Sequence, residues 1–91
     1  MNNKTRRQLM GISAQACAYK ESIEDLKNDI ESIRDDEEEK YENLPEGLQE
    51  SEMGEKLMEV YERLDGIADM LDTIVDEIDE VSGELDEVVT L

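Results

Sequence analysis

The side chains of this 91-residue sequence that first raise the question of chemistry are the single thiol of Cys17 and 27 carboxylates. A thiol nucleophile needs a neighbouring base or cation that lowers its pKa, and the sequence contains no His to act as that base. One Cys without His also leaves little material for a catalytic triad, a zinc site or a disulfide framework. We therefore predict that Cys17 is structural and that the protein is not an enzyme.

The carboxylates raise the question of metal binding. Di-iron sites in helical bundles need Glu-x-x-His pairs that project into the core, and this sequence has no His. The acidic run from Asp35 to Glu39 lacks the glycine and the spaced bidentate Glu of an EF-hand loop. A pair of catalytic carboxylates would need a pocket that shifts one pKa, which two helices do not provide. The sequence thus predicts no resident metal and no cofactor, and it leaves open only loose binding of divalent cations to the carboxylates.

A seven-residue repeat defines the element that carries most of these carboxylates. With position a at Leu57, five consecutive heptads are aliphatic at every a and d position, which predicts one long helix with a packing seam. Position e is also mostly apolar, so the stripe is wide enough to contact more than one neighbour. We expect the a and d residues up to Leu85, with Tyr61 and Val75, to form the core or a dimer seam. Position a holds Leu57, Leu64, Leu71, Ile78 and Leu85; d holds Val60, Ile67, Ile74, Val81 and Val88; e holds Tyr61, Ala68, Val75, Ser82 and Val89.

The N-terminal half carries the same repeat until Glu37 and Lys40 interrupt it. Thr5 and Gln8 resemble a capping box, which predicts a first helix over about residues 5–40. The five acids from position 35 to 39 repel one another and could fray its last turns. Position a holds Leu9, Ala16, Ile23 and Ile30, and position d holds Ile12, Tyr19, Leu26 and Ile33.

A break separates the two helical repeats. Pro45 disfavours helix at the residue before it, and Gly47 tolerates a positive φ, so we place a hinge at about residues 42–51. Ser51 is the predicted N-cap of a second helix over about residues 52–89. A short connection between helices of similar length is typical of antiparallel neighbours.

The sequence therefore predicts a single all-α domain, residues 1–91, folded as an antiparallel helical hairpin. Such a thin fold buries one stripe per helix and leaves the e flank of the second helix partly wet, so we expect it to form a homodimer, a four-helix bundle. Lys20, Lys27 and Arg34 occupy position e of the first helix, opposite apolar e positions of the second. Their counter-charges come either from a second copy or from Glu24, Glu31 and Glu38 on their own helix.

Neither a signal peptide nor a membrane span is predicted. The first 18 residues begin with basic residues, but Gln8, Ser13 and Gln15 interrupt what should be a continuous apolar stretch. No segment approaches the roughly 20 apolar residues of a transmembrane helix. We expect a cytoplasmic protein.

The formal net charge of −18 lies almost entirely in the second part of the sequence. Residues 1–34 contain six Lys or Arg and five Asp or Glu, whereas residues 35–91 contain three and 22. No basic residue follows Arg63, and ten acids lie between Asp65 and Glu87. Six of these acids are expected to form a band on the side opposite the seam. Position b holds Asp65, Asp72, Asp79 and Asp86, and position f holds Asp69 and Asp76. The expected partner-binding residues are Asp65, Asp69, Asp72, Asp76, Asp79, Glu80 and Asp86.

The charge density of this band suggests what kind of partner it binds. Ten carboxylates over roughly 35 Å of helix give one charge per about 3.5 Å, close to the ~3.4 Å of a single DNA strand. An acidic protein is a poor ligand for nucleic acid or anionic membranes, but it could occupy a basic surface that normally binds nucleic acid. The alternative is a structural or adaptor coiled coil whose charge only solvates it, with specificity in the apolar e flank and the hinge from Leu44 to Leu48.

The segment YENLPEGLQESEMGEKLMEVYERLDGIADMLDTIVDEIDEV, residues 41–81, together with KTRRQLMGISAQA upstream, resembles a family of short acidic helical proteins of unknown function encoded by phages and prophages of Gram-positive bacteria. The most specific part is NLPEGLQESEMGEK, residues 43–56. The resemblance implies a phage setting in a bacterial host. Small acidic phage proteins often block host nucleases, restriction or CRISPR effectors, or polymerase, so it implies an inhibitor with an anti-defence role.

Overall fold

The computed structural model describes all 91 residues and consists of three α-helices without a strand. Helix α1 spans Asn3–Glu42, α2 is the single turn Glu46–Gln49, and α3 spans Glu52–Val89. Helices α1 and α3 pack against each other as a helical hairpin, which confirms the predicted fold class. The contacts divide the chain into two compact units. We call Met1–Asp25 with Leu71–Leu91 the terminal unit, and Leu26–Met70 the hinge unit.

Helix α1 begins earlier than the sequence pattern predicts. The Asn2 side chain is its N-cap, since Asn2 Oδ1 accepts a hydrogen bond from the Thr5 N–H at 2.8 Å. The prediction that Thr5 caps the helix is therefore wrong, because Asn is an equally good capping residue and stands three positions before it. At its other end α1 continues through the acidic run to Glu42. The ion pair of Lys40 with Glu37, at 2.8 Å, offsets part of the repulsion there.

The hinge contains one helical turn, α2, that the sequence analysis did not predict. Pro45 precedes it with φ −55° and ψ 146°, and the Leu48 N–H donates to the Pro45 carbonyl oxygen at 2.8 Å. Ser51 then caps α3, as predicted, since the Gly54 N–H donates to Ser51 Oγ at 3.4 Å. A Cβ at position 54 would lie 2.7 Å from the Leu48 carbonyl oxygen and closer still to that of Gln49, so this approach requires glycine.

In the terminal unit the helices meet along positions a and e. Ser13 and Ser82 are 7% exposed and Val75 is 9% exposed, all three at position e. Ser13 Oγ donates to Asp86 Oδ1 at 2.9 Å, and Lys20 Nζ donates to Asp79 Oδ1 at 2.8 Å. From the first pair to the second, α1 advances seven residues while α3 goes back seven, as antiparallel helices in heptad register do.

The hinge unit repeats the same arrangement. Ala68, at position e, is the most buried apolar residue at 3% exposure. Arg34 Nη1 donates to Asp65 Oδ1 at 2.9 Å, and the Tyr61 hydroxyl hydrogen-bonds the Glu38 carboxylate. In both units, therefore, an e residue of one helix contacts a b residue of the other.

These contacts correct the predicted seam. The a residues are half-buried as expected, but the e residues Ala68, Val75 and Ser82 are buried rather than partly wet. The d residues of α3, predicted to be core, are exposed by 36% at Val88 to 54% at Val81. The small side chains of Ser13, Ala68 and Ser82 at position e allow the helices to approach closely there, and the larger d side chains are turned outward. The d residues of α1 are likewise exposed: Ile12, Tyr19, Leu26 and Ile33.

Candidate protein-binding surface

The outward side of α3 is acidic and carries no basic residue after Arg63. Asp69 and Asp76, at position f, and Glu80, at position c, are all exposed to solvent. Asp72 is exposed too, but it occupies position b, one heptad from Asp65 and Asp79, and so lies beside the seam. Helix α3 itself fixes the outward positions, because f and c lie away from the a and e rows that contact α1. We call Asp69, Asp76 and Glu80 the outward acids.

Four of the seven predicted partner-binding residues, Asp65, Asp72, Asp79 and Asp86, occupy position b and instead lie beside the seam. Of these, Asp65, Asp79 and Asp86 bind Arg34, Lys20 and Ser13 respectively. Their predicted placement opposite the seam is wrong, because a seam centred on a and e has position b as its immediate neighbour. Asp65 and Asp79 remain accessible, with side chains 47% and 59% exposed.

The basic e residues of α1 find counter-charges inside the hairpin, contrary to the expectation that α3 offers none. Lys20 lies 2.8 Å from Asp79 and 4.0 Å from Glu24, so its partners lie on both helices. The hydrogen bond to Asp79 raises the pKa of Lys20 above its ordinary 10.5. The hydrogen bond to Asp35, followed by the weaker one to Asp65, raises the pKa of Arg34. These contacts leave the outward acids as the more negative part of the α3 surface.

A further basic residue has a structural role that the heptad pattern does not show. Arg6 Nε donates to the carbonyl oxygen of Val89 at 3.3 Å. The last carbonyls of a helix lack intrahelical partners and carry partial negative charge, so a guanidinium there satisfies one of them and complements the helix dipole. Arg6 thus fastens the end of α3 to the start of α1.

The hinge unit contains a shallow notch with an acidic rim. Gln49 Nε2 donates to the Tyr41 carbonyl oxygen at 3.4 Å and holds α2 against the end of α1. No group of His, Cys, Asp or Glu side chains is placed to hold a metal ion. The notch is lined by Tyr41, Gln49, Glu50, Gly54, Glu55, Met58, Glu59 and Glu62.

Cys17 lies at the surface and contacts the seam. Its Sγ is 3.8 Å from Ser82 Oγ, and either atom could be the donor. No cationic side chain is hydrogen-bonded to the thiol. The structural role of Cys17 stays a prediction.

Comparison with models of known protein families, with curated proteins and with solved structures finds no match to this chain. None of the three helices has an apolar stretch of the length and composition needed to cross a membrane.

Proposed function

We propose that this protein is a non-catalytic binding module that uses the acidic outward side of α3 to occupy a basic, nucleic-acid-binding surface of another protein. It acts in the cytoplasm of a bacterial host, as an inhibitor or modulator of the phage type that resembles a DNA strand in its charge. An anti-defence role, such as anti-CRISPR or anti-restriction activity, is the form that the family resemblance favours.

The observation that carries this proposal is the exposure of the outward acids on a helix with no basic residue after Arg63. Asp76 and Glu80 are exposed and no ion pair within the chain neutralises them. Carboxylates on a stiff helix are held at fixed spacing, so a basic groove can bind several of them and release its counterions together. Surface helices that need only solubility mix both signs of charge, which this segment does not.

The test neutralises the outward acids in the variant Asp69→Asn, Asp76→Asn, Glu80→Gln. Wild type and variant, each immobilised, are exposed to a nuclease-treated bacterial lysate, and captured proteins are eluted with a DNA duplex of about 30 base pairs, roughly three helical turns. We expect the wild type to capture a basic protein that the duplex releases. The variant should capture at least ten-fold less of this protein. Binding should also weaken between 50 and 200 mM salt, by roughly 20- to 40-fold for contacts to the three outward acids.

A matched control neutralises the same number of acids on the exposed side of α1, in the variant Glu21→Gln, Asp25→Asn, Glu42→Gln. It should bind like the wild type, because these acids lie on the other helix. Capture that the duplex does not compete, or that both variants lose equally, contradicts the proposal.

A structural or adaptor coiled coil is the second candidate, and the exposed d rows of both helices favour it. The apolar e flank is not its specificity surface, because Ala68, Val75 and Ser82 are buried between the helices. For this candidate the outward acids only solvate the helix, so neutralising them would leave partner binding unchanged.

A further inference from the structure

The d rows form an apolar surface that the hairpin itself does not cover. In the terminal unit this surface includes Ile12 and Tyr19 of α1, with Ile74, Val81 and Val88 of α3, all at least 36% exposed. In the hinge unit Leu26, Ile33, Val60 and Ile67 are at least 40% exposed. Rows of exposed apolar side chains of this kind are uncommon on monomers and mark a site of association.

Shallow grooves follow the d rows in the terminal unit. One runs along α3 and is lined by Val81, Leu85 and Val88, with Glu77, Glu80 and Glu84 at its edge. Another follows α1 past Leu9 and Ile12. Rows of aliphatic side chains with grooves between them are what helices need in order to interdigitate with a facing helix.

The residues that border the d row of α3 indicate which molecule could cover it. Position g carries Lys56, Arg63, Met70, Glu77 and Glu84, seven residues apart, and we call this row the g flank. Two basic residues precede Met70 at distances of seven and fourteen residues, and two acidic residues follow it at the same distances. The charge pattern is thus inverted about Met70, so the flank complements its own antiparallel copy.

We propose that a second copy of this chain covers the d rows, with α3 packed antiparallel on α3 of the partner and the two-fold axis passing near Met70. Lys56 then faces the partner's Glu84 and Arg63 faces the partner's Glu77, each pair occurring twice. Met70, which is 66% exposed in the hairpin, becomes buried against the partner's Met70. Asp76 stays on the outer side, because position f lies away from d and g.

The ion pairs that Lys56 and Arg63 make within the hairpin do not prevent them from pairing with a second copy. Lys56 lies 3.3 Å from Glu52, and Arg63 lies 3.8 Å from Glu59, both as i,i+4 pairs. All four side chains are at least 66% exposed. Ion pairs this exposed contribute little and are readily exchanged or extended into a network.

Two arrangements of the dimer are distinguishable by the charge on the g flank. When both hairpins point the same way, the g flank of α3 faces position g of the partner's α1. Glu77 and Glu84 then face neutral side chains, and only Arg63 gains a counter-charge. The antiparallel arrangement pairs all four charged residues of the flank and is the one we infer. The pairs in the arrangement with both hairpins pointing the same way follow from position g of α1, which carries Gln15, Ser22, Asp29 and Asp36. In that arrangement these residues would face Glu84, Glu77, Met70 and Arg63 of the partner in that order.

The first experiment measures molecular mass by sedimentation equilibrium. Wild type should be a dimer, and the variant Ile67→Glu, Val81→Glu should raise the dimer dissociation constant at least 100-fold. Both positions are at least 40% exposed in the hairpin, so circular dichroism should still show a helical protein. The control Met10→Glu changes an equally exposed side chain outside the d row and should stay dimeric. A wild type that is a helical monomer at millimolar concentration overturns the proposal.

The second experiment reverses half of the g flank at a time. Lys56→Glu with Arg63→Glu makes the flank wholly acidic, and Glu77→Lys with Glu84→Lys makes it wholly basic. Each variant alone should dimerise at least ten-fold more weakly than wild type, whereas an equimolar mixture should form a heterodimer. If the basic variant still forms a homodimer of wild-type affinity, the antiparallel arrangement is wrong.

The third experiment locates the two-fold axis by disulfide cross-linking. In a Cys17→Ser background, Met70→Cys should form an intermolecular disulfide under mild oxidation, because the two thiols meet at the axis. Glu77→Cys in the same background serves as the control and should cross-link much more slowly, since residue 77 faces residue 63 of the partner. Equal cross-linking of the two variants would refute the inferred axis.

Discussion

At the scale of single residues, the helices are fastened by pairs of e and b side chains. Lys20 and Arg34 lay their aliphatic stems along the seam, with side chains 28% and 19% exposed, and extend their charged ends to carboxylates of α3. The exposure of these pairs limits the stability that each contributes. Their main effect is to define the register of the helices, because a shift by one heptad would leave several without a partner.

Tyr61 provides a titratable probe of this register. Its hydrogen bond to the Glu38 carboxylate raises the pKa of the phenol above its ordinary 10.0. A raised pKa in the folded state means that this contribution to stability is fully present below about pH 10.0 and is lost as the pH rises through the folded value.

We expect Glu38→Gln to lower the pKa of Tyr61 toward 10.0, because the substitution removes the negative charge beside the phenol. Alkaline difference absorbance would measure it in a Tyr19→Phe, Tyr41→Phe background, where Tyr61 is the sole tyrosine. Glu39→Gln is the control, since Glu39 is exposed on another side of α1. An equal effect of both substitutions would contradict the cross-helix contact.

At the scale of the elements, the hinge depends on one close approach of backbone to backbone. The turn α2 ends against the start of α3, where Gly54 is buried beside the Gln49 and Leu48 carbonyl oxygens. Pro45, Ser51 and Gly54 each supply a separate requirement: a fixed φ before α2, an N-cap for α3, and the absence of a Cβ.

Substituting two glycines of α3 separates this requirement from ordinary helix propensity. Gly54→Ala should lower the free energy of unfolding by about 1–3 kcal/mol, because its Cβ overlaps the Gln49 carbonyl. Gly66→Ala should raise it by about 0.4–1 kcal/mol, because nothing lies within 4 Å of the added methyl group and the unfolded chain loses entropy. Urea unfolding at one fixed protein concentration measures both. A stabilising Gly54→Ala would show that α2 does not pack on α3 in solution.

At the scale of the whole molecule, the net charge of −18 opposes the folded state. Like charges along α3 repel one another, while the ion pairs of the chain are exposed and weak. A fold of this kind gains its stability from one seam whose buried apolar residues are only Ala68 and Val75. Covering the d rows by a second copy would add apolar burial that the hairpin alone lacks.

We therefore expect salt to stabilise the protein. Raising sodium chloride from 10 to 500 mM shortens the Debye length from about 30 Å to under 5 Å and screens the repulsion between carboxylates. The midpoint of thermal unfolding, followed by circular dichroism, should rise by several degrees. The midpoint of the variant with the three outward acids neutralised should rise less, because this variant has less repulsion to screen. A midpoint that falls with salt would mean that attractive ion pairs outweigh the repulsion.

The sequence by itself determined the two long helices, the break between them and the apolar rows a, d and e. Heptad spacing is a local property, since it needs only the 3.6-residue period and a surface on which to pack. The same local information placed the Ser51 cap and the uneven distribution of charge. It missed Asn2 as the first cap and the turn α2, because short capping and turn motifs have several equivalent placements in sequence.

Only the tertiary structure decided which two of the three apolar rows face inward. Rows a and e pack between the helices because Ser13, Ala68 and Ser82 are small enough for close approach, and this leaves row d exposed. The same rotation brings Asp65, Asp79 and Asp86 to the seam and leaves Asp69, Asp76 and Glu80 facing solvent. A repeat specifies which residues share a side of a helix, but the sizes of side chains on both helices together set the angle at which those sides meet.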